Sequence, residues 1–248
     1  MSRPFAADVL KRGYQSVRLQ NSLLQWASIT EAAQNGALDI AGDFTIEAWI
    51  NPRTLPTTND GFAICGRWGG GQTAFVFVLY NNAGSQGVDA YISDDGTNYD
   101  RVGITYSFPV GSWSHLAVTC TVASPVASEF IFYIDGVEYT IGYTVYITGV
   151  PAVSTIYAAT TEPFGLGTFG PGGMPFNGMM DDLRLWNDVR TASEIQDNMN
   201  VELVGDEANL VGYWKLNGDF QDSTANANHL IAAGTVLPVF KKDGGIDS

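Results

Sequence analysis

Hydrophobic and polar residues alternate along much of the chain with the period of two that is typical of β-strands. The clearest segment runs from Phe44 to Ile50, and its apolar face consists of Phe44, Ile46, Ala48 and Ile50. Thr45, Glu47 and Trp49 share the other face. Seven more short runs have the same character: residues 62–65, 74–80, 88–93, 102–106, 115–122, 130–134 and 137–141. The pattern predicts a chain built mainly from short strands.

Turn residues separate these runs, and one turn predicts its own geometry. Asp135-Gly136 lies between two apolar runs, and this dipeptide readily adopts the positive φ angles that a two-residue hairpin loop requires. We therefore predict a β-hairpin at this point. Strands that follow one another at about 10 to 15 residues are typical of a β-sandwich or barrel.

One helix is predicted near the C-terminal end. Thr191 and Glu194 have the spacing of a capping box, in which each side chain accepts a hydrogen bond from the backbone amide of the other residue. The helix is expected to run from Ala192 to about Met199. Residues 210–216 then return to strand character. We assign these last strands to the same domain as the others.

The charge balance excludes several classes of partner. The 248 residues include 26 Asp and Glu against 12 Lys and Arg, a formal net charge of −14. Nucleic acids and anionic membranes are bound through basic clusters, which this chain lacks. Residues 1–8 contain no apolar leader, and no stretch reaches the roughly 18 apolar residues of a membrane span. We expect no nucleic-acid partner, no membrane insertion and no export signal.

The two cysteines, Cys65 and Cys120, are too few for the disulfide framework of a small secreted domain. Isolated cysteines usually behave as small buried hydrophobes. We therefore predict free thiols, with a single bridge between neighbouring strands as the alternative.

An ordered set of segments carries a resemblance to a known family. The segments are Gly42 to Ile50, Gly111 to Thr119, Phe132 to Gly136, Phe176 to Trp186, residues 194–196, residues 210–217 and the loop from Asp222 to Asn228. Together they resemble the laminin-G-like, concanavalin A-like jelly rolls of bacterial and phage surface proteins. The resemblance implies an all-β sandwich of two antiparallel sheets with one short helix near the C-terminus. The domain is expected over residues 14–240, with an N-terminal arm at 1–13 and a C-terminal tail at 241–248.

Glycosidases share this sandwich, so catalytic residues are the next question. Their chemistry needs two carboxylates about 5 to 9.5 Å apart, and the glucanases of this fold carry them as Glu-x-Asp-x-Glu on one strand. No such triplet occurs here, and the adjacent Asp181 and Asp182 would point to opposite faces of a strand. The chain has no Gly-x-Ser-x-Gly motif, and its only histidines are His115, read as structural, and His229. We expect no enzymatic activity, and a glycoside hydrolase is the less favoured alternative.

The resemblance also implies structural calcium. Calcium takes six to eight oxygen ligands, and the family often binds it through the loop that corresponds to residues 222–228. Asp222, Asn226 and Asn228 are the ligands carried over. Ala225 and Ala227 stand where many relatives have glycine, and alanine tolerates a left-handed backbone less well. An Asx-rich turn without metal is the alternative.

Carbohydrate recognition would use exposed aromatic rings that stack on a sugar beside polar groups. Candidates on predicted loops and strand ends are Trp68, Tyr80, Tyr91 and Tyr99, with Asp95 as a polar neighbour. Trp68 is the least explained by packing, because it lies between Arg67 and three glycines. For every candidate, packing within the sandwich is the alternative.

These observations favour a non-catalytic recognition or adhesion module of laminin-G-like type that binds a glycan or a protein surface. Because the chain as written has no export signal, we expect it on the surface of a phage virion or in an extracellular location. The alternative is a purely structural virion component, such as a capsid decoration, fibre or tail protein. In that case residues 1–13 and 241–248 are the expected docking segments for other virion proteins.

Overall fold

A computed structural model describes residues 15–69, 72–122, 129–139, 143–146, 155–158, 161–170 and 172–242. Across these ranges the strands are β1 (Gln15–Leu19), β2 (Trp26–Ile29), β3 (Phe44–Pro52), β4 (Gly61–Gly69), β5 (Gln72–Asn82), β6 (Ser85–Ile92), β7 (Asp100–Thr105), β8 (Ser114–Thr121), β9 (Glu129–Ile134), β10 (Val137–Tyr139), β11 (Tyr143–Tyr146), β12 (Phe164–Leu166), β13 (Gly178–Trp186), β14 (Leu210–Trp214), β15 (Ile231–Ala233) and β16 (Val239–Lys242). The helix α1 (Ala192–Asn198) lies between β13 and β14, and short 3-10 helices cover Asn21–Leu23 and Glu31–Ala33. Within the described ranges, no helix has the length and apolar character needed to cross a bilayer.

The strands form two antiparallel sheets. The first sheet has the order β10-β9-β8-β3-β13-β1-β16, and β14 also pairs with β13. The second sheet has the order β11-β7-β6-β5-β4-β12-β2-β15. Alternate residues of both sheets meet in one apolar core between them. This sandwich confirms the predicted all-β jelly-roll class.

The local predictions from turn and capping residues are confirmed. β9 and β10 pair antiparallel around Asp135 and Gly136, whose φ angles are 51° and 74°. Thr191 and Glu194 form both hydrogen bonds of the capping box at the start of α1. The last predicted strand is shorter than expected: β14 ends two residues early, because Leu216 adopts a left-handed φ of 58°.

β3 is buried on both faces. Its apolar face enters the core as the alternation predicts. Thr45, Glu47 and Trp49, on the opposite face, are at most 2% exposed. The segment after α1 covers this face, since the indole Nε1 of Trp49 donates to the carbonyl of Met199 at 2.7 Å. The first sheet is therefore covered on its outer side in this region.

The ends of the domain differ slightly from the sequence-based boundaries. β16 continues to Lys242 and pairs with β1, so the last strand passes the predicted domain end at residue 240. The predicted arm at residues 1–13 and residues 243–248 of the predicted tail lie outside the described residues. Their docking role stays a prediction.

The two cysteines lie on different sheets and are free, as predicted. Cys65 is on β4 and Cys120 is on β8, and both side chains are buried. Burial raises the pKa of both thiols. The protonated thiols therefore act as small core residues.

Candidate functional site

The outer face of the second sheet carries an aromatic cluster. On β5, the side chains of Phe75, Phe77 and Leu79 belong to the core, so the alternate residues Val76 and Val78 face outwards. Around these two valines pack Trp68, Tyr91, Tyr99, Phe169 and Met174. The cluster thus combines β4, β5 and β6 with two loops.

The cluster surrounds a cavity of about 170 Å³. Its described walls are Trp68, Val76, Val78, Tyr80, Tyr91, Tyr99, Arg101, Phe169 and Met174. Pockets for drug-sized ligands usually measure about 300–1,000 Å³, so this cavity suits a single small ring. None of its described walls carries a carboxylate.

Trp68 is the centre of the ring contacts. Its ring centroid lies 4.7 Å from that of Tyr99, 5.6 Å from that of Tyr91 and 5.7 Å from that of Phe169. The centroids of Tyr91 and Tyr99 are 5.5 Å apart. Each such pair contributes about 0.5–1.5 kcal/mol of stability in addition to the free energy gained by burying its surface area. The rings therefore hold one another in place around the cavity before any ligand arrives.

Arg101 is the one cation among the described walls of the cavity. Its Nε donates to Oδ2 of Asp89 at 2.6 Å, and its Nη2 lies 2.5 Å from the same oxygen. The Asp89 side chain is 0% exposed. The guanidinium carbon lies 3.9 Å from the ring centroid of Tyr80 and 5.4 Å from that of Tyr91. Arg101 is therefore a fixed wall whose charge is balanced by a buried carboxylate.

Tyrosine hydroxyls supply further polar groups at the cavity. Burial is the largest of the effects that raise the pKa of Tyr91, the negative charge of Asp89 raises it further, and the positive charge of Arg101 opposes both. The hydroxyl therefore stays protonated at neutral pH. Among the described residues, no hydrogen bond involves the hydroxyls of Tyr80, Tyr91 or Tyr99. These groups are available to a ligand.

Asp95 folds the loop that positions Tyr99. Its Oδ1 accepts hydrogen bonds from the amides of Thr97 and Asn98 at 2.8 and 2.7 Å. Both hydrogen bonds lower the pKa of Asp95, which falls to about 2, and the bond from the amide of Thr97 has the largest effect. Asp95 lies outside the described cavity walls, because its carboxylate is turned to its own loop. Its direct contact with a ligand stays a prediction.

A second loop, between β12 and β13, supplies Phe169 and Met174. The carbonyl of Met174 accepts a hydrogen bond from the amide of Ala63 on β4 at 2.7 Å. Gly170 has a φ of 57°, and a Cβ at this position would clash with the carbonyl oxygen of Trp68. Glycine at this turn therefore allows the loop to pack directly on the end of β4.

Four of the five residues predicted for ligand contact line this one cavity: Trp68, Tyr80, Tyr91 and Tyr99. Sequence reasoning missed Arg101, although its position in β7, alternating with the core residues Val102 and Ile104, marks it as outward-facing. It also missed Phe169 and Met174, for which the glycine-rich turn was a sign of a loop and not of a site. Binding by these residues is a prediction that the geometry makes more specific.

The predicted calcium ligand Asp222 is already engaged with its own loop. The side chain is 5% exposed. Oδ1 accepts from the amides of Tyr213 and Thr224 at 3.0 and 2.9 Å. Oδ2 accepts from the hydroxyl of Thr224 and the amide of Asn228 at 3.0 and 2.9 Å. Four protein donors thus surround this carboxylate.

The other two predicted ligands are engaged as well. The side-chain amide of Asn226 donates to the carbonyl of Val211 at 2.9 Å, and Oδ1 of Asn228 accepts from the amide of Asn35 at 3.2 Å. Ala227 does adopt a left-handed φ, 54°. A calcium ion at this loop would take oxygen ligands and would therefore replace protein donors on Asp222 and Asn228. Calcium binding stays a prediction. Across the described residues, no group of three or more His, Cys, Asp and Glu could hold a metal.

The first sheet contains a separate cluster of buried charge on its outer face. Nη1 of Arg184 lies 3.4 Å from Oε1 of Glu47, and the two side chains are 1% and 2% exposed. Trp186 donates to the same oxygen at 3.0 Å, and Nε2 of His115 lies 3.2 Å from Oε2. Burial alone raises the pKa of Glu47. The charge of Arg184, the contact with His115 and the hydrogen bond from Trp186 outweigh burial and lower this pKa from 4.5 to about 2.

Asp182 belongs to the edge of this cluster. It has a left-handed φ of 50°, at an irregularity in the pairing of β13 with β3. Its Oδ1 accepts a hydrogen bond from the hydroxyl of Tyr213 at 2.6 Å. Asp181 and Asp182 are 2% and 7% exposed. This pair is buried in the protein and is not among the walls of the aromatic cavity.

A model of the concanavalin A-like lectin/glucanase superfamily, Laminin_G_3, matches residues 25–196. The match covers more than half of the chain, so the protein belongs to this superfamily, as the ordered segments indicated. A search by sequence among curated proteins finds no match.

Two solved structures illustrate the shared fold. A protein of Bacteroides ovatus ATCC 8483 that is proposed to bind carbohydrate aligns with a TM-score of 0.64 and 17% identity, over 94% of this chain and 60% of its own. The CBM40 of the Ruminococcus gnavus IT-sialidase, solved with α2,3-sialyllactose, aligns with a TM-score of 0.50 and 13% identity, over 75% of this chain and 98% of its own. At these identities the likeness is one of fold. This chain spans 60% of the length of the B. ovatus protein.

Proposed function

We propose that this protein is a non-catalytic carbohydrate-binding module and that the aromatic cavity on the second sheet is its binding site. The observation that carries the proposal is the convergence of Trp68, Tyr80, Tyr91 and Tyr99 on one cavity. Rigid aromatic walls beside a few polar groups are the usual composition of a small-molecule site. The C–H face of a sugar ring suits the aromatic walls, and its hydroxyls suit the tyrosine hydroxyls.

Two further observations support binding without catalysis. The fold is that of a superfamily of lectins and glucanases, and its structural neighbours include a protein proposed to bind carbohydrate and a CBM solved with a glycan. Glycoside hydrolysis needs two carboxylates that flank the bond, and no described wall of the cavity carries one.

A glycan array with the purified protein, followed by calorimetry on the strongest hit, tests this proposal. We expect Trp68→Ala to weaken binding at least about tenfold, because losing one stacked ring removes about 1.4 kcal/mol or more. Trp113→Ala is the matched control, since Trp113 is also partly buried but does not line the cavity. If no glycan binds, or if both variants bind as the wild type does, the cavity is not a carbohydrate site.

Hydrolysis is tested on the same hit. Incubation of the wild-type protein with the bound glycan is expected to release no reducing ends. Release that persists after repurification and disappears in Trp68→Ala would identify the protein as a glycosidase instead.

A further inference from the structure

We infer that the cavity accepts a single uncharged sugar ring and discriminates against acidic sugars such as uronates and sialates. This inference rests on the proposed function and concerns the selectivity of the same site. It follows from the positive and negative charges around the cavity.

An acidic sugar finds no uncompensated positive charge in the described walls. Arg101 is the only cation among them, and two of its nitrogens already contact the buried carboxylate of Asp89. A guanidinium that is fully balanced in this way attracts a second carboxylate much less than an isolated one does. The CBM40 neighbour was solved with a sialylated ligand, so this selectivity would distinguish the present chain from it.

The surroundings of the cavity add negative charge. Asp94 and Asp95 are exposed on the loop before Tyr99, and Asp100 follows it at the start of β7. The pKa of Asp100 is raised by burial and by the negative charge of Asp94. The whole chain has a net charge of −14. An approaching anion is therefore repelled both by the loop and by the protein as a whole.

A cationic ligand is disfavoured for a different reason. Aromatic cages bind organic cations through the faces of their rings. Here the guanidinium of Arg101 already occupies that role, at 3.9 Å from the ring centroid of Tyr80 and 5.4 Å from that of Tyr91. A second cation in the cavity would face this fixed positive charge at short range.

A neutral ring satisfies all of these constraints. It packs on Trp68 and Tyr99, and its hydroxyls pair with the tyrosine hydroxyls without bringing a charge into a partly buried site. The volume of about 170 Å³ accommodates a single ring.

The test uses an array on which neutral sugars stand beside acidic counterparts of the same ring shape, namely hexoses beside the corresponding hexuronates. The best pair is then measured by calorimetry with the wild-type protein. We expect the neutral member to bind at least tenfold more tightly. Its affinity should change less than twofold between 50 and 500 mM NaCl, because no charge is paired on binding.

A variant supplies the converse result. Asp89→Asn leaves the charge of Arg101 unbalanced, so the preference for the neutral member should fall at least tenfold. Asp206→Asn, which removes an exposed carboxylate outside the cavity, should leave the preference unchanged. If Asp89→Asn does not fold, the affinities of the wild-type protein for the neutral and the acidic sugar still decide the inference.

The outcomes separate this inference from the proposed function. Equal or tighter binding of the acidic member, lost in Trp68→Ala, overturns the inference and leaves the module a carbohydrate binder. A lack of binding to both classes overturns the proposed function, and the inference with it.

Discussion

Glu47→Gln tests whether the buried charge cluster of the first sheet stabilises the fold. The carboxylate is 2% exposed and lies against Arg184, which is 1% exposed. Glutamine keeps the size of the side chain and removes its charge, so Arg184 is left buried without its closest carboxylate. Removing one partner of a buried ion pair typically costs about 3–5 kcal/mol.

The lowered pKa of Glu47 implies a similar contribution of its carboxylate to the free energy of unfolding. A carboxyl whose pKa falls from 4.5 in the unfolded chain to about 2 in the folded protein contributes about 3 kcal/mol of stability at pH 7. The folded pKa is the lower one, so this contribution is complete above pH 4.5 and is lost as the pH falls towards 2. At pH 3 about 1 kcal/mol remains. The effect of Glu47→Gln should therefore shrink in acid.

Urea unfolding followed by tryptophan fluorescence at pH 7 and pH 3 measures this effect. We expect Glu47→Gln to lower the free energy of unfolding by about 3 kcal/mol at pH 7 and by clearly less at pH 3. Glu138→Gln, an exposed carboxylate on β10 of the same sheet, should change it by less than about 0.5 kcal/mol. A loss below about 1 kcal/mol at pH 7, or an equal loss at both pH values, would refute this reasoning.

Three further predictions concern the calcium loop, the helix and the thiols. Asp222→Ala leaves four buried donors without their acceptor, so urea unfolding should show a loss of at least about 1–3 kcal/mol. If calcium also binds there, EDTA lowers the Tm of the wild type and CaCl₂ restores it; a Tm that neither reagent changes removes the metal site. Thr191→Ala removes the N-cap of α1 and should cost about 1 kcal/mol, and an unchanged urea midpoint would contradict this value. Cys65 and Cys120 are buried with raised thiol pKa values, so a thiol reagent should modify both only after unfolding, and rapid labelling of the native protein would show that the core opens.

Much of the fold was predictable because it depends on neighbours in the chain. The alternation around β3, the Asp-Gly hairpin and the capping box of α1 each act over a few residues, and the structure confirms all three. The end of β14 was less predictable, because the left-handed conformation of Leu216 has no local signal in a leucine. The second buried face of β3 depends on the segment after α1, which contacts Trp49 from a distant part of the chain.

The candidate site shows the same division between features that neighbouring residues determine and features that distant contacts determine. Composition and motif spacing favoured a binding module over an enzyme, and the aromatic residues at strand ends were recognisable as candidates one at a time. Sequence could not distinguish a ring that packs elsewhere in the sandwich from a ring that lines the cavity. It also could not distinguish Asp95, which folds a loop, from Asp89, which balances Arg101.

By itself, then, the sequence determined the class of fold, the short-range turns and caps, and the types of side chain that a binding site could use. Only the tertiary structure decided which of them meet. Trp68, Tyr91 and Phe169 share one cavity because the pairing of β4, β5 and β6 and a glycine turn bring separate segments onto one face of the second sheet. Strand register and loop packing are set by contacts between residues far apart in the chain, and no local pattern encodes them.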